Sequence, residues 1–226
     1  IYAASGIVMD MNSGAVLYAK KAKEKRYPAS ITKVLSVLTA LQYAKMSDTV
    51  VFSEDSISFL QWDDAQIGMK PGEEISMESA LYGMLLASAN EVSYAVAENV
   101  GKQYLNGGYA EFIEEMNRIS QELGCTSSNW VNANGLHDDN HYTTAHDMAR
   151  IAAAAYQNEE FRRLETTLEY KVPPTNLTAE ERVLDQNHKM LWPENYYYYA
   201  NAKAGKTGYT DQSKTTLVTM AEGNDM

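Results

Sequence analysis

Ser30 and Lys33 form a Ser-x-x-Lys pattern that could generate a nucleophile. The run 31–44 is long enough for a helix and is apolar on more than one face, which is typical of a buried helix. Pro28 precedes the first turn, so Ser30 falls at the helix N-terminus with Lys33 on the same face. A buried lysine amine with a lowered pKa can activate a neighbouring serine hydroxyl. The alternative interpretation is a surface serine beside a snorkelling lysine.

Two further short patterns could complete such a site. Ser88-Ala-Asn90 lies between two predicted helices, and Lys206-Thr-Gly208 lies on a predicted strand near the C-terminal end. Taken singly, the first could be a helix cap and the second a strand that runs into a turn. The three patterns in this order, each in suitable local structure, form the triple found in penicillin-binding proteins and class A β-lactamases.

The elements that must position these residues can be predicted from periodicity and turn signals. We expect a β-hairpin over 5–20 and, after Pro173-Pro174, a less regular region that includes the tyrosine run 196–199. Helices are predicted over 77–87 with Ser76 as N-cap, over 92–100, over 109–123, and over 145–155 with Thr143 or Thr144 as cap. The last strands are predicted over 203–210 and 215–221.

Strands at both ends with helices between them predict an α+β fold. We expect the two termini to pair in a single antiparallel sheet flanked by helices, with an all-helical lobe inserted between them. The sheet part is placed at about 1–45 and 200–226 and the lobe at about 46–160, within a single domain over 1–226.

Composition excludes several classes of function. The chain has 226 residues and a formal net charge of −11, which argues against a nucleic-acid partner. Its single cysteine, Cys125, excludes an internal disulfide, and we expect it to be a small buried residue. No apolar run is long enough to span a bilayer.

Together the patterns resemble the serine D-alanyl-D-alanine carboxypeptidases, which are low-molecular-mass penicillin-binding proteins of the transpeptidase/β-lactamase-like superfamily. The resemblance extends over essentially the whole chain. Its segments are Met9-Asp10, Ser13-Gly14, Leu17-Tyr18, Pro28-Ala-Ser-Ile-Thr-Lys33, Gly83-Met-Leu-Leu-Ala-Ser-Ala-Asn90, Asn132-Ala-Asn-Gly-Leu136, Tyr142-Thr-Thr-Ala145 and Lys206-Thr-Gly-Tyr-Thr-Asp211.

The resemblance implies a catalytic role for five residues. Ser30 would attack the carbonyl of the terminal D-Ala-D-Ala bond, with Lys33 as the base that takes its proton. Ser88 would bridge the two lysines and pass the proton to the leaving amine. Asn90 would hold Lys33 and hydrogen-bond the substrate amide, while Lys206 would supply positive charge for the substrate carboxylate.

The resemblance also implies that the four residues that follow Lys206 bind substrate. Thr207 would donate its hydroxyl to the terminal carboxylate, and Gly208 would let the substrate lie along the strand. The backbone N–H groups of Ser30 and Tyr209 would form the oxyanion hole. Thr210 is the last residue of this predicted set.

The resemblance also implies the setting of the protein. Stem peptides of peptidoglycan that end in D-Ala-D-Ala would be the substrates, β-lactams would be inhibitors, and the location would be outside the bacterial cytoplasmic membrane. No cofactor and no metal are expected. Relatives commonly have Ala-Gly where this chain has Gln212-Ser-Lys214. The resemblance implies that the family sheet continues beyond the turn-like run 222–225 with an arginine that assists carboxylate binding. Many members add a β-rich second domain and a membrane anchor after it.

Three alternatives remain open. A metal site is suggested by His137 and His141, which flank Asp138 and Asp139, although a polar loop is the simpler interpretation. A class A-like β-lactamase needs a carboxylate that activates the deacylating water. The candidates Glu165 and Glu169 lack the expected Glu-x-x-Leu-Asn context. A catalytically idle wall-binding protein of the same fold is the third.

Overall fold

The helix predicted around Lys33 forms the centre of the molecule, in a computed structural model that describes residues 2–223. It begins with a 3-10 turn, Ala29–Ile31, and continues as α1, Thr32–Leu41. Every residue of α1 up to Ala40 is buried, and all of these side chains except that of Lys33 are small or apolar. The site residues at its N-terminus are therefore attached to a helix in the middle of the core.

Six more α-helices are present within residues 2–223, and the predicted ones form close to their expected bounds. Ser76 accepts from the backbone N–H of Ser79 at 3.2 Å, and Thr144 accepts from that of Asp147 at 3.0 Å, as expected for N-caps. The helices are α2 (Asp55–Ser58), α3 (Met77–Leu85), α4 (Asn90–Tyr104), α5 (Tyr109–Glu122), α6 (Ala145–Gln157) and α7 (Glu159–Glu165).

Within residues 2–223 the strands form four two-stranded antiparallel sheets: β1 (Gly6–Met9) with β2 (Val16–Lys20), β3 (Thr49–Val51) with β4 (Glu74–Ser76), β5 (Glu169–Val172) with β6 (Arg182–Asp185), and β7 (Ala202–Thr210) with β8 (Lys214–Ala221). The region after Pro173-Pro174, expected to be less regular, contains the strand β6. Its four residues are too few to give a clear alternating pattern, and the same holds for its partner β5, which precedes the prolines.

The α+β class is confirmed, but the single sheet shared by both termini is wrong for residues 2–223. The hairpins β1–β2 and β7–β8 are separate two-stranded sheets. Both pack against α6, with β1 and β8 each in contact with that helix. The apolar stripe of α6 therefore joins the two ends of the chain through side-chain packing, without a hydrogen-bonded ladder between the hairpins.

One continuous apolar core lies under these elements and draws residues from all the longer helices and from β8. Helix α1 contacts α3, α4, α5, α6 and α7, which explains its complete burial. Within residues 2–223, no helix combines the length and the apolar character that crossing a bilayer requires.

Candidate active site

Ser30 lies in the 3-10 turn at the entrance to α1 and is half-buried. The preceding residue, Ala29, has φ of +52°, a left-handed conformation that costs free energy for a residue with a Cβ. The turn is held by Thr32, whose hydroxyl donates to the Ala29 carbonyl at 2.8 Å. The strained turn directs the Ser30 hydroxyl toward a cleft of about 960 Å³ that it lines.

The amine of Lys33 is completely buried and has three oxygen neighbours. Its Nζ lies 3.0 Å from Ser30 Oγ, 2.8 Å from Asn90 Oδ1 and 2.6 Å from the carbonyl of Asn134. Burial and then the charge of Lys206 hold the pKa of Lys33 well below its ordinary value. A neutral amine that donates its two N–H bonds to Asn90 and Asn134 keeps its lone pair for the Ser30 hydroxyl.

Lys206 is the second buried amine, with 1% of its surface exposed. It donates to Ser88 Oγ at 2.9 Å and to the Thr207 carbonyl at 2.9 Å. An ammonium group has three N–H donors, so one remains for a ligand. Ser88 has φ of +61°, which places it in a strained link between α3 and α4.

Two glycines bring backbone segments against the Ser30 turn. A Cβ on Gly208 of β7 would lie 2.8 Å from the Ser30 nitrogen, and one on Gly135 would lie 2.0 Å from the Ala29 carbonyl oxygen. Neither position has room for a side chain. Thr216 of β8 adds a direct link by donating to the Pro28 carbonyl at 2.7 Å. The strand β7 can therefore lie this close to the Ser30 turn because glycine has no side chain.

The structure brings the five predicted catalytic residues together around one cleft. The cleft is lined by Ser30, Ser88 and Asn90 on one side and by the strand β7 on the other. The predicted binding residues Thr207, Gly208, Tyr209 and Thr210 all line this cleft. The Thr210 hydroxyl also bonds to Ser213 Oγ at 2.9 Å within the β7–β8 turn, which gives it a structural role beside any contact with substrate.

Sequence reasoning missed two participants near Lys33. One is the Asn134 carbonyl, which accepts from Lys33. The Asn-Gly dipeptide indicates a turn there, but a side-chain pattern does not show where a backbone oxygen points. Glu91 is the other: it is completely buried, accepts from the Ile67 backbone N–H at 2.7 Å, and its charge opposes the lowering of the Lys33 pKa.

The whole chain, residues 1–226, matches the family model described as peptidase S11, D-alanyl-D-alanine carboxypeptidase. The chain belongs to this family. Among curated proteins, it is 30% identical to the D-alanyl-D-alanine carboxypeptidase DacF of Bacillus subtilis, over 99% of this chain and 55% of that protein. It is also 30% identical to DacB2 of Mycobacterium tuberculosis, over 94% of this chain and 68% of that protein.

Solved structures of the family share the fold. A D-alanyl-D-alanine carboxypeptidase from Mycobacterium tuberculosis superimposes with a TM-score of 0.85 at 30% identity and covers 98% of this chain and 78% of its own. The Streptomyces K15 DD-transpeptidase gives a TM-score of 0.88 at 24% identity, and the match covers 99% of this chain and 86% of that one. The chain spans about half of the length of some curated relatives, 55% of one and 54% of another.

The suggested metal site around His137 is not supported within residues 2–223, where no cluster of metal-ligating side chains exists. His141 is buried and uses both ring nitrogens, one with Thr32 Oγ1 at 2.8 Å and one as acceptor from the Val131 N–H at 3.1 Å. Burial lowers its pKa to about 4. It is therefore neutral near pH 7, and its two hydrogen bonds connect the loop before it to the start of α1.

Cys125 is buried, as expected, and its thiol lies 3.4 Å from the Asp147 carbonyl. Burial raises its pKa to about 12, so the reactive thiolate is essentially absent at neutral pH.

Neither carboxylate considered for a β-lactamase lines the cleft. Glu165, the last residue of α7, is completely buried, and Glu169 is exposed on β5. A general base for water needs access to both water and the acyl group. Neither Glu165 nor Glu169 is therefore placed to activate a deacylating water in the described cleft.

Proposed function

We propose that this chain is a serine-type D-Ala-D-Ala carboxypeptidase that removes the terminal D-alanine from peptidoglycan stem peptides through an acyl-enzyme on Ser30. The observation that carries the proposal is the position of the Lys33 amine, buried and 3.0 Å from Ser30 Oγ. Family membership over the whole chain supports the same chemistry.

Acylation follows from this geometry. Neutral Lys33 accepts the Ser30 proton as Oγ attacks the scissile carbonyl, and the negative oxygen that forms is stabilised by the backbone N–H groups of Ser30 and Tyr209. The proton then passes through the Ser88 hydroxyl to the nitrogen of the leaving D-alanine. Asn90 holds Lys33 in place at 2.8 Å while the C–N bond breaks.

Recognition of the substrate end is assigned to Lys206 and the residues after it. Its third N–H donor and the Thr207 hydroxyl, which lines the cleft, would bind the terminal carboxylate. Gly208 lets the peptide lie along β7 as an added strand. Thr210 would contribute from the end of the same strand.

The acyl-enzyme is released when water attacks the Ser30 ester, with the proton again taken by Lys33. A β-lactam resembles the D-Ala-D-Ala end and acylates the same hydroxyl. Its ring-opened amine stays covalently attached, and slow hydrolysis of the ester makes it an inhibitor. The location of Glu165 and Glu169 outside the cleft disfavours the class A-like β-lactamase, and the assembled Ser30–Lys33 pair disfavours a catalytically idle wall-binding protein.

This function assigns stem peptides ending in D-Ala-D-Ala and β-lactam antibiotics as the molecules that bind. It also places the protein at its substrate, outside the bacterial cytoplasmic membrane or in the periplasm, whether secreted or anchored there.

The pH dependence of acylation provides a test of Lys33 as the base. The amine must be neutral to accept a proton, so the rate constant should rise with pH through the Lys33 pKa. It should fall again at higher pH, where Lys206 loses its proton and with it the charge that binds the carboxylate. Because that pKa is lowered, the rise should be complete well below the value of about 10.4 of an ordinary lysine. Stopped-flow measurement of benzylpenicillin acylation gives the profile. A rate still rising near pH 10 would contradict the assignment.

Release of D-alanine from a peptide ending in D-Ala-D-Ala tests the proposed reaction. We expect turnover with this peptide and none with matched peptides that end in D-Ala-L-Ala or in a D-Ala amide, since the latter lacks the carboxylate that Lys206 would bind. Equal turnover of the amide would contradict the proposed recognition. No turnover of any peptide, with no acylation, would favour the idle alternative.

A further inference from the structure

Glu165 is an acid that the proposed reaction does not use, in a place where an acid is costly. It is completely buried at the end of α7, and that helix packs against β7, the strand that carries Lys206. The Gln186 amide donates to its Oε2 at 3.2 Å and to its backbone carbonyl at 3.3 Å. The other carboxylate oxygen, Oε1, is buried without a hydrogen-bond partner among the described residues. A buried acid with an unsatisfied oxygen either takes up a proton or stays charged because a nearby opposite charge compensates for it.

The nearby charge is Lys206. Its own hydrogen-bond acceptors, Ser88 Oγ and the Thr207 carbonyl, are both neutral, so neither compensates for a buried positive charge. The other titratable groups that act on it or feel its charge are Lys33 from α1 and His188 from the segment before β7. Both are bases, and neither can stabilise an ammonium. Glu165 is the acid whose charge acts on Lys206.

We propose that Glu165 is a positioning residue that keeps Lys206 charged from outside the substrate cleft. The inference rests on the proposed function, in which the Lys206 ammonium binds the substrate carboxylate. Glu165 does not line the cleft and would not touch the substrate. Its effect is exerted through the charge of Lys206 alone.

The electrostatics agree with this assignment. Burial lowers the pKa of Lys206, and the Glu165 carboxylate opposes that shift. Burial likewise raises the pKa of Glu165, opposed by Lys206, then by Gln186 and by the backbone of Gly205. Removing the carboxylate leaves the burial effect on Lys206 unopposed. Lys206 would then lose its proton at a lower pH and become a poorer carboxylate anchor.

The test compares E165Q, which retains an amide oxygen for Gln186, with E165D, which retains the charge. NMR titration of the lysine side chains in labelled protein reads the Lys206 pKa directly, with the signal assigned by its absence in K206M. We expect that pKa to fall by at least about one pH unit in E165Q and to stay much closer to the wild-type value in E165D. The exposed control E169Q, on β5, should not move it.

Acylation by benzylpenicillin gives the functional counterpart. The fall in rate at high pH should move to lower pH in E165Q by as much as the Lys206 pKa falls. A shift of one pH unit lowers the rate about tenfold at a given pH in the falling part of the profile. An unchanged Lys206 pKa in folded E165Q would overturn the inference, as would equal shifts in E165Q and E165D. If wild type itself is not acylated, the proposed function fails, and the NMR titration still decides the role of Glu165.

Discussion

Replacing Lys33 with methionine is expected to lower the rate constant for acylation by about 10²–10⁴-fold, the usual contribution of a general base. Methionine is similar in length to lysine and fills the same buried space, but it cannot accept the Ser30 proton. The amine it removes has Ser30 Oγ, Asn90 Oδ1 and the Asn134 carbonyl as neighbours. The measurement is the time course of the benzylpenicillin adduct by intact mass.

The matched control is Lys171→Met, the same substitution at an exposed position on β5. It should acylate at the wild-type rate. Thermal denaturation should show that Lys33→Met is folded, because methionine fills the same buried space. Its Tm should be lower than that of wild type, because Asn90 Oδ1 and the Asn134 carbonyl lose their donor, at about 1–3 kcal/mol for each buried group left unsatisfied. Acylation of Lys33→Met within a few-fold of wild type would rule out Lys33 as the base.

Replacing Gly208 with alanine should reduce acylation by about 10²-fold, the effect of displacing reacting groups by about 1 Å. The added Cβ would lie 2.4 Å from Thr216 Oγ1 and 2.8 Å from the Ser30 nitrogen. Contacts this short force β7 away from the turn that holds the nucleophile. Such overpacking costs about 1–3 kcal/mol, so the Tm should fall by several degrees.

The control for this variant is Gly108→Ala, where an added Cβ meets nothing within 4 Å. Gly108 precedes α5 and does not line the cleft. The measurements are the benzylpenicillin acylation rate and the Tm of both variants, and the control should match wild type in the acylation rate. Wild-type acylation by Gly208→Ala would show that the close approach of β7 and Ser30 is not needed.

The sequence was sufficient for features that depend on local signals. The buried helix around Lys33 and the Ser76 and Thr144 caps follow from periodicity and side-chain chemistry within a few residues. That Ser30, Ser88 and Lys206 lie together was predicted from the recognised order of three patterns, since no local signal specifies contacts between residues so far apart in the chain.

Other features depend on contacts that leave no local signal. The Asn134 carbonyl at Lys33 is a backbone group, and Glu165 is indistinguishable in sequence from a solvated helix end until α7 is packed against β7. The expected sheet shared by both termini failed for a similar reason. Strand patterns indicate that hairpins form, but not which outer edges pair, and here α6 lies against both hairpins.

Intact mass after incubation with benzylpenicillin, on wild type and on Ser30→Ala, tests the central claim most directly. The account predicts one stable adduct on wild type and none on Ser30→Ala, since the attacking hydroxyl is the only group removed. An adduct that vanishes within seconds would indicate a β-lactamase. An adduct that persists on Ser30→Ala, or no adduct on wild type, would contradict an acylating Ser30.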